Sequence, residues 1–330
     1  MPDESRTALV TGGSGFIGSH LVGALLERGW AVRCLVRPSS NLRWLDGLSI
    51  QPVTGDLTRP ESETLRRSAE GVSAVFHLAG VTSSALEEGY SRVNVGGTKA
   101  ILQAVRHAAP DAHFLFCSSI AAAGPVTGTR TINETDTPGP ISEYGRSKLA
   151  AERIVEDSGL TYSIVRPPPV YGPRDSGIFS LFRLVSYGIA PHIASRMQVL
   201  SIVHVSDLAR GLISAVKPSA HGLYYMTDGT PHTWEDVIRA ISKALGKLPR
   251  YVAVSPGLAD MVAKVERLRG IVMGGKPMIT PDRLLELSQN DWTCSDLRAR
   301  LDLDYESRMS LADGISSTAE WYRANGWLAR

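Results

Sequence analysis

The segment Thr11-Gly12-Gly13-Ser14-Gly15-Phe16-Ile17-Gly18 follows a short apolar run and precedes a stretch in which Leu21, Val22, Leu25 and Leu26 share one helical face. Strand, glycine turn and helix in this order constrain the fold more than any other feature of the chain. Gly12 permits a tight turn, Gly15 lets the backbone come close to a phosphate, and Gly18 lets helix and strand pack closely. The free N–H groups and the positive dipole end of the helix would then face a pyrophosphate. Gly12, Gly13, Ser14, Gly15, Phe16 and Ile17 are therefore candidate phosphate-loop residues. A glycine-rich turn with no ligand is the competing reading, and the order of elements weighs against it.

Short apolar runs continue to alternate with helical patterns through the first half, the order expected of a parallel sheet covered by helices on both faces. Residues 7–11, 31–36, 49–54, 74–77, 113–118 and 161–166 read as strands, and 16–28, 61–69, 94–108 and 144–157 as helices. After Arg166 proline and glycine become frequent and the alternation is lost. The expected architecture is α/β, a Rossmann-type doubly wound parallel sheet over 1–167. Residues 168–198 and 229–330 are expected to form a smaller, irregular substrate-binding region, with helices at 178–187, 233–245 and 258–269. The stretch 199–228, its segment 199–216 included, is expected to return to the main sheet.

Among 330 residues the formal net charge is only +2, and the basic residues are scattered. That pattern recommends neither nucleic acid nor a membrane surface as partner. The start of the sequence does not read as a secretory signal, and no segment approaches the roughly 20 apolar residues of a membrane span. Three widely separated cysteines, Cys34, Cys117 and Cys294, suit a reducing compartment and give no metal-ligand spacing. A cytoplasmic location and no metal are the resulting expectations. His192, His204 and His232 read as structural.

The residue that ends the second strand bears on dinucleotide choice, because a carboxylate there bonds the ribose of NAD and repels an added 2′-phosphate. This chain has Val36-Arg37-Pro38-Ser39-Ser40-Asn41, with no acid and with a guanidinium suited to phosphate. NADP(H) is therefore the expected preference, with NAD(H) possible. Asp56 and Leu57 would lie near the adenine, and Leu78, Ala79 and Gly80 close the fourth strand beside the cofactor.

Tyr144-Gly145-Arg146-Ser147-Lys148 opens a helix, so Tyr144 and Lys148 share a face one turn apart. None of the other tyrosines has a lysine four residues on. A phenol titrating near 10 needs a cation close by to work at neutral pH, and a shift of about 3 units corresponds to about 4 kcal/mol. Lys148 is the expected cation. Ser118 and Ser119 end the fifth strand, at the sheet edge where ligands of such folds bind, and a hydroxyl there can bond a reacting oxygen.

Taken together these residues resemble the extended short-chain dehydrogenase/reductases, the NAD-dependent epimerase/dehydratase-like family that includes sugar epimerases, dehydratases, dihydroflavonol reductases and 3β-hydroxysteroid dehydrogenases. The likeness runs over about the first 230 residues and includes Asn94-Val95-Gly96-Gly97-Thr98, Arg166-Pro167-Pro168-Pro169-Val170-Tyr171-Gly172-Pro173 and Val203-His204-Val205-Ser206-Asp207. The resemblance implies Ser119, Tyr144 and Lys148 as the catalytic set. It also implies that Asn94, Ser118, Tyr144, Lys148, Pro167, Pro168 and Val170 line the cofactor, and that the protein is a homodimer packed through the helices near Asn94 and Tyr144.

Departures from the family pattern concern the substrate. Nucleotide-sugar members carry an asparagine where this chain has Pro169, and an arginine where it has Leu200-Ser201-Ile202. Dehydratases place an acid pair soon after the serine, where this chain has Ile120-Ala121-Ala122-Ala123. A diphosphate needs several donors or cations, so their loss points to a neutral, apolar ketone or secondary alcohol. The apolar stripe Leu258, Met261, Val262, Val265 and Leu268 reads either as core or dimer packing or as part of a lid. Two rival functions stand beside the reductase: a nucleotide-sugar 4-epimerase that holds NAD tightly, and a dinucleotide-sensing regulator without chemistry.

Overall fold

The computed structural model describes residues 6–59, 62–84, 87–126, 130–193, 198–254, 257, 261, 280–289 and 291–329. Its first half runs β1 (Thr7–Thr11), α1 (Phe16–Leu26), β2 (Ala31–Val36), β3 (Ile50–Thr54), α2 (Ser62–Ala69), β4 (Ala74–His77), α3 (Glu87–Tyr90), a π-helical turn (Ser91–Gly96), α4 (Gly97–Ala108), β5 (His113–Cys117), a 3-10 turn (Ile120–Ala122), α5 (Glu143–Glu156) and β6 (Tyr162–Arg166). The second half continues β7 (Val170–Tyr171), α6 (Ser176–Ser186), β8 (Ile189–Ile193), β9 (Val199–Leu200), β10 (Val203–His204), α7 (Val205–Ser214), β11 (Gly222–Tyr225), β12 (His232–Thr233), α8 (Trp234–Leu245), β13 (Arg250–Val254), α9 (Pro281–Leu287), β14 (Asp291–Trp292), α10 (Leu297–Leu303) and α11 (Leu311–Ala324).

Seven of these strands form one parallel sheet in the order β3-β2-β1-β4-β5-β6-β11. Successive residues of a strand face opposite sides, and here both sides are apolar. Ala8 and Val10 of β1 pack with α1 and α7, whereas Leu9 packs with α2 and α4. The same division places Leu115 of β5 in the first layer and Phe114 and Phe116 in the second. Pro52, which cannot donate to a ladder, sits on β3 at the sheet edge. A third core joins α6, α8 and α11 through Phe182, Ile238, Ile241, Ile315 and Tyr322.

Two expected elements differ. The helix expected over 94–108 begins at Glu87 and passes through a π-helical turn that contains Asn94. Of the segment 199–216, β9 pairs with β12 and β14 in a separate small sheet, β10 pairs with β7, and α7 lies against α1. The part of 199–228 that does return to the main sheet is β11, its seventh strand, beside β6. The expected helix over 258–269, with every member of its apolar stripe except Met261, lies outside the described residues.

A buried polar chain fixes the turn after β4. Thr98 donates its hydroxyl proton to the Asn94 carbonyl (2.6 Å), so it accepts from His77 Nε2 (2.9 Å). Nδ1 is then free to accept from Thr11 Oγ1 (2.7 Å), and Thr11 in turn accepts from the Ala79 amide (3.2 Å). This order of donors requires a neutral imidazole, and full burial lowers the His77 pKa from 6.5 to about 3. Burial likewise lowers His113 and His204 to about 4.

Below pH 6.5 the unfolded chain binds protons at these three positions and the folded chain does not, so stability falls as pH drops from 6.5 toward 4. Each histidine contributes about 1.4 kcal/mol per pH unit within that window. Urea unfolding between pH 7 and pH 4 should show this decline, and His77→Gln, which keeps a donor and an acceptor but cannot titrate, should reduce its slope.

Candidate active site

The phosphate turn is built as its residues dictate. Gly12 has φ 74°, and a Cβ there would lie 2.8 Å from the Ala79 amide nitrogen, so only glycine allows the turn to lie against the end of β4. A Cβ on Gly18 would collide with the Gly12 carbonyl. Gly15 opens α1 with no side-chain cap, which leaves the first amides of the helix free for a ligand. Gly13, Ser14, Phe16 and Ile17 complete the turn. The donor set and the steric cradle fit a pyrophosphate.

Arg37 is exposed at the end of β2, and its guanidinium makes no hydrogen bond or ion pair among the described residues. Its charge lies close enough to help lower the pKa of Asp56, whose carboxylate mainly accepts from the backbone and hydroxyl of Thr58, both at 2.8 Å. Leu57 is buried just beyond it. Leu78, Ala79 and Gly80 lie along the turn that Thr11 holds.

Asn94 is buried, and its amide is spent within the protein. Oδ1 accepts from Val81 N (2.9 Å), while Nδ2 donates to Val81 O (3.1 Å) and to Ser147 Oγ (2.9 Å). It therefore ties the turn after β4 to α5. Ser118 points behind the edge and donates to Glu152, which also receives Arg166 through Nε (2.9 Å) and Nη2 (2.6 Å). Arg166 reaches Tyr225 as well, at 2.9 Å. Pro167 and Pro168 are buried, and Pro167 accepts from Ile120 N (2.9 Å); Val170 is half-buried.

Ser119 caps the 3-10 turn, accepting from Ala121 N at 3.2 Å. Gly145, directly after Tyr144, permits the approach of α5 to this turn, because a Cβ there would strike the Ala121 carbonyl oxygen. The result is that the Tyr144 phenol comes close to Ser119. Lys148, one turn on, is buried; its Nζ donates to Cys117 O at 2.6 Å and stands 4.2 Å from the centre of the Phe116 ring. Burial lowers its pKa from 10.5 to about 8.

The electrostatics differ from the expectation that Lys148 tunes the phenol. Burial pushes the Tyr144 pKa well up from 10; the Ser119 hydroxyl opposes this, the Glu286 and Cys117 charges reinforce it, and Arg283 opposes it. Glu286 and Arg283 belong to α9, which sequence reasoning did not connect with the site. Asp282 accepts from the Glu143 amide (2.7 Å) and the Tyr144 amide (3.1 Å), and Ser142 donates to Glu286 (2.6 Å). Nearly 140 residues separate these partners, so no local spacing reveals them. Tyr90, in the turn before Asn94, places its ring 6.1 Å from that of Tyr144.

Asp282 thus serves as an added cap on α5. Asp282→Ala should cost about 1 kcal/mol or more in urea unfolding, and Asp282→Asn, which keeps one acceptor, should cost less.

The comparisons with known proteins agree with this geometry. The model of the NAD dependent epimerase/dehydratase family matches residues 8–224. A ceramide reductase of Caulobacter vibrioides is 32% identical over 331 residues, covering 99% of this chain and 98% of that protein. A 4-hydroxy-2-methyl-3-oxo-4-farnesyl-3,4-dihydroquinoline-1-oxide ketoreductase of Stigmatella aurantiaca is 30% identical over 233 residues, 67% of this chain and 68% of that one. The solved structure of the UDP-glucose 4-epimerase of Thermus thermophilus in complex with NAD superposes with a TM-score of 0.78 at 25% identity, covering 96% and 99% of the two chains. The chain belongs to the NAD-dependent epimerase/dehydratase family, within the extended short-chain dehydrogenase/reductases, and is an NAD(P)-dependent enzyme acting on a CH–OH group.

Proposed function

We propose that this enzyme reduces a ketone, or oxidises the matching secondary alcohol, on a neutral and apolar molecule, with NADP(H) preferred over NAD(H). The observation that carries this reading is the approach of the Tyr144 phenol to Ser119 at the carboxyl edge of the sheet, which Gly145 permits, one helical turn from the buried Lys148. When bound, the nicotinamide supplies hydride to the carbonyl carbon or takes it from the carbinol carbon. Tyr144 gives a proton to the substrate oxygen in reduction and takes it back in oxidation, so hydride plus proton convert ketone to alcohol. Ser119, whose oxygen already accepts from Ala121 N, has its own proton free to bond that same oxygen. Lys148 uses one of three donor hydrogens on Cys117 O, leaving two for the ribose of the cofactor.

The substrate class rests on what replaces the diphosphate anchors. Pro169 offers no donor, and Ser201 is buried with its hydroxyl accepting from Cys294 N at 3.1 Å. Two relatives bear the names of a ceramide reductase and a farnesyl-dihydroquinoline ketoreductase, which supports a reductive reaction on an apolar carbonyl. The proposed working unit is a homodimer packed through α4 and α5.

Tyr144→Phe should lower kcat on ketone substrates by at least about 100-fold while NADPH binding, read by nicotinamide fluorescence, stays close to that of the parent. Full turnover in this variant would remove the proposal, and turnover of nucleotide sugars without added cofactor would favour an epimerase. Arg37→Ala should weaken NADPH about tenfold and leave NADH nearly unchanged. In Glu286→Gln a negative charge that disfavours the phenolate is gone, so the acid limb of the kcat/KM profile for alcohol oxidation should move to lower pH.

A further inference from the structure

The corner of the smaller lobe formed by α6, β8, α8 and β13 exposes apolar side chains from two segments far apart in the chain. Leu248 is 98% exposed, Tyr187 74% and Tyr251 52%, and Leu184, Ile189 and Val252 stand open beside them. The backbone makes them neighbours. β8 and β13 pair in parallel, Ile189 opposite Arg250 and Ala190 opposite Tyr251, and Arg250 N donates to Gly188 O at 2.9 Å. Gly246, in the left-handed conformation, ends α8 and turns Leu248 outward. The platform beneath is firm: Phe182, Val185, Ala190, Ile238 and Ile241 are buried under it.

Within the two segments that form this corner, charge has one sign. Residues 176–193 and 237–254 contain no aspartate or glutamate and carry Arg183, Arg239, Lys243, Lys247 and Arg250. Arg239 pairs with Asp236, but the other four are exposed and have no acidic partner among the described residues. Glu235 and Asp236 lie at the opposite end of α8, roughly 15 Å along its axis from Leu245.

We propose that this corner docks on the surface of an anionic phospholipid bilayer. An exposed apolar cluster rimmed by charge marks an interaction site. A leucine almost wholly exposed at a turn tip fits no pocket of its own protein; it suits a medium that accepts apolar groups from any direction, while flanking lysines and arginines keep their heads at the phosphates. The two tyrosines suit the same boundary, with an apolar body and a polar tip. A second copy is a poorer occupant, because a two-fold contact sets like patches face to face and here opposes four cations to four. Among the described residues no helix is long and apolar enough to cross a membrane, so the contact is peripheral. The proposal stands on this surface and not on the identity of the substrate.

The test is sedimentation of the full-length protein with phosphatidylcholine vesicles, with and without phosphatidylglycerol, at low and high salt. Binding should require phosphatidylglycerol and weaken with salt. Lys247→Glu combined with Arg250→Glu should reduce it on the order of tenfold or more, and so should Leu248→Ser combined with Tyr251→Ser. All four residues are exposed, and an unchanged melting temperature and cofactor affinity would show that the variants fold. Failure of the parent to bind phosphatidylglycerol vesicles, or equal binding by parent and folded variants, overturns the proposal. So does a change in oligomeric state by light scattering in the Leu248/Tyr251 variant with vesicle binding intact, which would make this corner a contact between copies.

Discussion

In a parallel sheet every strand delivers its carboxyl end to the same edge, and that constraint places each functional group of this protein. The glycine turn after β1, the His77–Gly80 turn after β4, Ser119 after β5 and the proline run after β6 share an edge because the strands before them pair in one direction. The chemistry then depends on how closely α5 approaches that edge. Gly145 sets the distance, since any side chain there would strike the Ala121 carbonyl and lift Tyr144 away from Ser119. A glycine inside a helix costs about 1 kcal/mol relative to alanine, and close approach is the physical reason for bearing that cost here.

Charge is buried beneath this edge in two different ways. Glu152 and Arg166 form a bidentate pair to which Ser118 and Tyr225 each add a further bond, so both charges are neutralised within the protein. Removing one member would leave the other charge buried and alone, which is the costly event for such pairs. Lys148, by contrast, has one carbonyl and an aromatic face. Burial lowers its pKa to about 8, and two of its three donor hydrogens have no protein acceptor among the described residues, which leaves Lys148 capacity for a ligand.

The sequence made the main sheet legible because buried parallel strands are continuous apolar runs, and β1, β2 and β4 fall where those runs fall. The start of the helix before α4 was not legible: it lies in the polar run from Glu87, and a π-helical turn at Ser91–Gly96 interrupts the usual periodicity. β11 was hidden by its brevity, four residues beginning at a glycine with φ 91°. At the site, the spacing of Tyr144 and Lys148 is local and could be read directly. Asp282, Arg283 and Glu286 could not be read, because their relation to Tyr144 exists only after the chain has folded back. The exposed cationic corner escaped for the same reason, since its parts look scattered along the chain.

The position of α9 bears on how the two lobes share one task. Asp282 holds the first amides of α5 and Glu286 bonds the residue that caps it, so the smaller lobe reaches the N-terminus of the helix that carries Tyr144 and Lys148. A carboxylate at a helix N-terminus stabilises the helix through its amides and dipole, while a second one nearby makes a phenolate harder to form. The two effects oppose each other: α9 fixes the place of the phenol and at the same time keeps it protonated. A protonated, well-placed phenol suits the proton-donating step of ketone reduction. Oxidation through the same residue needs a compensating positive charge, which Arg283 offers in part and an oxidised nicotinamide would supplement when bound.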